Sequence, residues 1–239
     1  MSGVAEAKAR ILGRIRAGLP RDRDDAARAE AIRARLSRPP RGPIPERAKG
    51  ERPALVDRFV ANLEKEFGTV ARLDDAAEVP GHVGAWLAAR NLPARLAAAP
   101  HPDLLALPWG DRPSLAVRFG RAEPDDAASL TACFAAVAET GTLMLASGPE
   151  HPTTLNLLPE AHLVLLRASR IVGAFEEAWD LLRAERGRAD EALPARRRLM
   201  PRTVMLVTGP SRSADIEQTL ELGAHGPRSL HVILLEDER

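Results

Sequence analysis

Apolar positions along the chain recur in two rhythms, and the switches between them outline the elements. Val4, Ile11, Leu12 and Ile15 fall at helical spacing and predict a helix over 4–17. Leu19-Pro20-Arg21-Asp22 breaks it, with Asp22 as N-cap of a second helix over 22–36, whose only large apolar anchors are Ile32 and Leu36. Pro39, Pro40, Pro43, Pro45 and Pro53 then mark an extended linker. Beyond it, Leu55, Val56, Phe59, Val60, Leu63 and Phe67 predict an amphipathic helix over 54–67, closed by Gly68 and followed by a strand over 69–73. Asp74 caps a further helical stretch to about Arg90, with a break point at Pro80-Gly81.

Short buried strands are predicted at 93–98, 103–107 and 114–119, and residues 129–138 read as a strand turning into one turn of helix. The runs 142–146, 162–166, 203–207 and 230–235 read as strands, and 174–186 as a helix with Phe175, Ala178, Trp179, Leu181 and Leu182 inward. These strands are continuous apolar runs rather than clean alternations, so both of their faces are covered. Interleaved with helices, they predict an α/β fold with a mainly parallel sheet covered by helices on both faces. The organisation expected is a helical arm with a proline-rich linker over 1–52 and an α/β domain over 53–239. No internal repeat is visible.

Composition narrows the chemistry. The 239 residues are 45% hydrophobic but only 3% aromatic, with no Tyr, so the core rests on Leu, Val, Ile and Ala. No apolar run is long enough to span a membrane, and the first residues lack a basic segment followed by an apolar stretch, so neither a membrane span nor a secretory signal is expected. A lone cysteine, Cys133, excludes an internal disulfide and a self-contained iron–sulfur cluster, and the expected setting is cytoplasmic and reduced. Residues 1–52 carry 14 Lys and Arg against 7 Asp and Glu, a balance of +7 in a chain of net +1, which leaves −6 on the remainder. Nearly all the basic residues are Arg and no aromatic platform accompanies them, so nucleic acid is not an expected partner.

Three glycine turns carry the candidate chemistry. Thr208-Gly209-Pro210-Ser211-Arg212-Ser213-Ala214-Asp215-Ile216-Glu217 follows a strand. Gly209 permits a sharp turn, Ser211 and Ser213 are caps for a helix from about Ala214, and free N–H groups with Arg212 would form an anion clamp. Asp215 and Glu217 would sit in that helix's first turn, where their own charge competes with a bound phosphate. Ala138-Glu139-Thr140-Gly141-Thr142 places a carboxylate at the edge of an apolar sheet, where Glu139 is either a catalytic base or nucleophile or a structural acceptor for the neighbouring loop. His225, between Gly223 and Gly226-Pro227, lies in a turn rather than on an apolar face. No histidine pair has metal-ligand spacing, and no metal is expected. Cys133 reads as a small core residue.

These motifs, with Leu157-Leu158-Pro159-Glu160-Ala161-His162 between them, occur in an order that resembles the LUD domain of the lactate utilization protein C (LutC/YkgG) family over about residues 54–237. The resemblance implies a fold similar to the sugar-phosphate isomerase and CoA-transferase superfamily. It also implies a role in oxidising L-lactate to pyruvate with iron–sulfur partner proteins, and no cofactor in this chain. Thr140, Gly141, Gly209, Ser211, Arg212, Ser213, Asp215 and His225 are then the candidate ligand-binding residues and Glu139 the candidate catalytic one. A second reading follows from the superfamily: a stand-alone enzyme, CoA-transferase-like or phosphosugar-isomerase-like, using Glu139. A homo-oligomer built through the N-terminal arm is a further expectation.

Overall fold

The computed structural model describes residues 2–18, 25–188, 200–214 and 220–237. The chain divides into two units, Met1–Pro43 and Ile44–Arg239. The first holds α1 (Ser2–Gly18) and α2 (Asp25–Ser37), on which Ile11, Ile15 and Ile32 are exposed. The expected cap Asp22 lies outside the described residues.

The second unit begins with α3 (Arg52–Lys65), β1 (Thr69–Leu73), α4 (Val79–Ala88), β2 (Arg95–Ala98), α5 (Pro102–Leu105), β3 (Ala116–Phe119) and β4 (Ala128–Ala132). It continues with β5 (Ala135–Val137), β6 (Thr142–Ala146), β7 (Ala161–Arg167), β8 (Ile171–Val172) and α6 (Phe175–Arg188). The last strands are β9 (Val204–Val207), β10 (Arg212–Ala214), β11 (Leu220–Leu222) and β12 (Ser229–Leu235). Six strands form a sheet in the order β1-β12-β7-β4-β2-β3, with every neighbouring pair parallel. A second sheet, β8-β5-β6-β9, is mixed, and β10 and β11 form a separate antiparallel hairpin.

The period-two alternation of β7 and β12 sorts their side chains into two cores. Leu163, Leu165, Ile233 and Leu235 pack with Val83, Trp86 and Leu87 of α4 and Leu104 of α5. Val164, Leu166, Val232 and Leu234 pack with Val56, Phe59 and Leu63 of α3 and with Leu143 and Leu145 of β6. Phe59 and Leu63 are fully buried, each worth about 1.5–3 kcal/mol of apolar transfer. The far side of the second sheet presents Ala135, Val137 and Met144 to Ala178 of α6. Helices thus flank the parallel sheet on both faces, and on one face they share the cover with a second sheet that the linear pattern does not announce.

Four local expectations change. Residues 103–107 are not a strand: the His101 side chain accepts from the Asp103 N–H and Pro102 sits in the first turn, so the segment closes into α5 and turns Leu104 into the core. Residues 129–138 are two strands in two sheets. The N–H of Cys133 donates to Leu165 O of the parallel sheet, and that of Phe134 donates to Met144 O of the other. The capping residue is Asp75, reciprocated by Glu78, rather than Asp74, and it caps the short turn Ala76–Glu78 that leads into α4. At the end of α3 the left-handed residue is Phe67 (φ 67°), not Gly68. Phe67 N–H donates to Glu64 O and Gly68 N–H to Leu63 O, and a Cβ on Gly68 would lie 2.7 Å from Leu63 Cγ.

Candidate functional site

The last turn of α3 is a platform against which two glycine loops are laid. Gly141 has φ 67°, and a Cβ there would fall 2.4 Å from the backbone nitrogen of Leu63. Gly209 has φ 109°, and its Cβ would fall 2.3 Å from Glu66 O. Both positions need a left-handed backbone and a missing side chain at once. The loops are joined by a hydroxyl chain: Thr140 Oγ1 lies 2.7 Å from Thr142 Oγ1, and Thr142 Oγ1 lies 2.7 Å from Thr208 Oγ1.

The expected helix from Ala214 is replaced, over the described residues, by β10 paired with β11. Ser211 is the reason. Its N–H donates to Pro227 O, its carbonyl accepts from Gly223 N–H, and its hydroxyl accepts from His225 N–H at 3.3 Å. The 209–214 segment is therefore stitched to the 223–227 turn rather than freed to start a helix.

Between these two turns opens a cavity of about 340 Å³. Gly209 and Ser211 line it from one turn, His225 and Gly226 from the other, and Met205 and Leu206 from β9. Asn156 and His162 are its most buried polar groups, at 9% and 1% exposure. Burial holds the His162 imidazole down to about 3, so it is neutral, and its Nε2 lies 2.8 Å from Thr131 Oγ1. Asn156 Nδ2 has only the thioether of Met205, at 3.5 Å.

Gly209, Ser211 and His225 thus meet at one cavity, and the other described candidates stand apart from its lining. Arg212 is turned to Glu66, Nη2 to Oε2 at 2.5 Å, with its guanidinium 4.8 Å above the Phe67 ring. Ser213 is paired in register with Glu221 in the hairpin. Thr140 and Gly141 connect only through the hydroxyl chain and α3. The Glu139 carboxylate accepts from Arg47 Nη2 at 2.7 Å, while Asn62 Nδ2 donates to the carbonyls of Ala138 and Glu139. Asp215 and Glu217 lie outside the described residues. Asn156, His162 and Met205 were missed by sequence reasoning. The available signal was a histidine inside the continuous apolar run 161–166, which a buried strand tolerates only with a partner.

Among the described residues no three His, Cys, Asp or Glu side chains converge on a metal position. Burial pushes the Cys133 thiol up to about 12, so it is protonated, and it donates to Ala135 O at 3.0 Å. A larger opening of about 620 Å³ lies at the carboxyl ends of β1 and β12, but Arg72 there is engaged with Asp57 and Glu236, and Asp237 with Ser169. No described helix is long and apolar enough to cross a membrane.

Residues 125–235 match the LUD domain family. An uncharacterized protein of Neisseria meningitidis is 41% identical over 100 residues, 41% of this chain and 38% of that protein. Lactate utilization protein C of Bacillus licheniformis is 33% identical over 101 residues, and that of Bacillus subtilis 34% over 101; both cover 42% of this chain and 39% of the relative. The chain spans about two fifths of the length of the curated relatives it matches. A DUF162 family protein from Deinococcus radiodurans shares the fold, with a TM-score of 0.53 and 23% identity over 78% of this chain and 99% of that one. The matched segment runs from the loop just before β4 of the parallel sheet to the end of β12 and includes every described residue of the cavity lining. Over residues 125–235 the chain is similar to the LUD domain family, and about two fifths of it is similar to lactate utilization C proteins.

Proposed function

We propose that this chain is an accessory, non-redox subunit of an L-lactate oxidation system that converts lactate to pyruvate together with iron–sulfur partner proteins. The observation that carries the reading is the LUD match over 125–235, with lactate utilization C proteins among the relatives. One cysteine in the whole sequence supports placing any cluster in the partners, since a four-thiolate site has nowhere to form here. The cavity between the 208–211 and 223–227 turns is the part of the subunit suited to hold a small ligand.

The reading of a stand-alone enzyme built on Glu139 draws less support. Its carboxylate is neutralised by Arg47, and its loop is closed against α3, where a thioester or phosphosugar would have to approach.

The test is genetic and biochemical. A strain lacking this chain is expected to lose growth on L-lactate and to regain it with the wild-type chain and with Cys133→Ala. The tagged chain is expected to co-purify with iron–sulfur proteins. Unimpaired growth on L-lactate in a strain with no second lactate system rejects the role.

A further inference from the structure

The cavity between the two turns has a lining that says what it can hold. Among the described residues, none that lines it is Asp, Glu, Lys or Arg. Two guanidinium groups that adjoin its turns in sequence are engaged elsewhere: Arg212 with Glu66 and Arg228 with Glu160. Backbone donors, the usual substitute for a cation at an anion site, are consumed in part as well. The N–H groups of Ser211, Gly223 and His225 donate within the turns, and Pro210 and Pro227 have none. A carboxylate or phosphate entering here would shed its water without gaining a counter-charge, a loss that uncharged surroundings do not repay.

The same lining suits a different guest. Met205, Val207 and Leu230 supply apolar wall, and Asn156 and His162 supply hydrogen-bonding groups. The Asn156 amide has no partner stronger than a thioether sulfur, so much of its hydrogen-bonding capacity is unspent. At about 340 Å³ the cavity is at the small end of ligand sites, which run from about 300 Å³ upward.

We infer that this cavity binds an uncharged small molecule, with an amide-like or carbonyl end held by Asn156 and His162 and an apolar body against Met205, Val207 and Leu230. The inference deepens the accessory reading and rests on it for context alone. Lactate and pyruvate are carboxylates, so the guest of this cavity is not the substrate of the proposed system.

Matched pairs that differ only in charge test it. Lactamide against lactate, and nicotinamide against nicotinate, are titrated into the purified full chain at pH 8 and followed by saturation-transfer NMR and calorimetry. At least one amide is expected to bind, at least tenfold more tightly than its carboxylate. Asn156→Leu, of similar volume, and Leu206→Trp, placed on the exposed rim of the cavity, are each expected to weaken that binding at least tenfold while the thermal melt stays cooperative. Equal or tighter binding of the carboxylates overturns the inference. So does the absence of binding by both amides, or amide binding that neither variant alters. Normal lactate growth of the deletion strain, with amide binding intact, removes the subunit role and leaves the cavity assignment standing.

Discussion

The Nε2 atoms of His82 and His231 face each other at 2.8 Å. His231 Nδ1 in turn lies 2.7 Å from Thr69 Oγ1, which lies 3.3 Å from Leu230 O. A carbonyl only accepts, so Thr69 donates to it and accepts from His231 Nδ1–H. His231 Nε2 is then the acceptor of its pair and His82 Nε2–H the donor. Both rings are pushed toward the neutral form. Burial depresses His231 to about 3, aided by His82 and Arg90, and burial and Arg90 lower His82 against the opposing pull of Glu78. Trp86 stacks on His231 at 5.0 Å and closes the site.

Stability should therefore fall on mild acidification. His231 and His162, both buried and both lowered to about 3, stay neutral in the fold, whereas in the unfolded chain they take up protons near pH 6.5. The unfolded state binds more protons below that pH, so stability is full above it and is lost as pH drops toward 3. Two such groups cost about 2 kcal/mol between pH 6.5 and 5.5. Urea midpoints at pH 7.5, 6.5 and 5.5 measure this, and His231→Gln should roughly halve the slope. A midpoint that does not move down to pH 5.5 refutes the neutral state of His231 and His162.

The glycines of the two site loops should behave oppositely. Gly141→Ala puts a methyl 2.4 Å from a backbone nitrogen of α3 and holds alanine at φ 67°. The helix cannot yield, and a loss of about 3 kcal/mol or more is expected. Gly226→Ala would meet Ser211 Cβ at 3.5 Å, an ordinary contact, and should change stability by less than about 0.5 kcal/mol. Denaturant unfolding of the two variants side by side decides it.

What the sequence could reveal depended on whether the information was local. β7 and β12 were legible because strands buried on both faces must be apolar throughout. The stripe of α3 was legible because its buried face repeats with helical period. The division at Cys133-Phe134 was not, since it depends on two neighbouring N–H groups finding carbonyls in different sheets, Leu165 and Met144. The pairing of β10 with β11 was hidden because Ser211 and Ser213 are equally good helix caps, and only Ser211's three bonds to the distant 223–227 turn decide against them. Gly209, Ser211 and His225 were found by turn chemistry. Asn156 and His162 reach the same cavity through the sheet, a relation with no footprint in sequence spacing.

Glu139→Gln separates the two functional readings. The amide keeps the shape of the side chain and leaves the Asn62 bonds to the loop carbonyls in place. It gives up the ion pair to Arg47, whose side chain is 72% exposed, so a loss of at most about 1 kcal/mol is expected. Growth on L-lactate should be unaffected, and incubation of the wild-type chain with acyl-CoA donors should leave no adduct on Glu139 by mass spectrometry. Abolished growth at unchanged stability, or an adduct, would restore Glu139 as a catalytic group.

Phe67 offers a measurement of stored backbone strain. It adopts φ 67° at the end of α3, 67% exposed, with the Arg212 guanidinium over its ring. A bulky residue in this conformation costs about 1–2 kcal/mol, and the ring contact returns about 0.5–1 kcal/mol. Phe67→Ala and Phe67→Gly both lose the ring, but only glycine sheds the strain, partly offset by its greater freedom when unfolded. The glycine variant should therefore be more stable than the alanine variant by about 1 kcal/mol, read as the difference in their urea midpoints. Repeating the pair with Arg212→Ala should leave that difference unchanged, because the arginine contacts the ring and not the backbone. Equal stability of the two variants would mean that the turn relaxes and carries no strain.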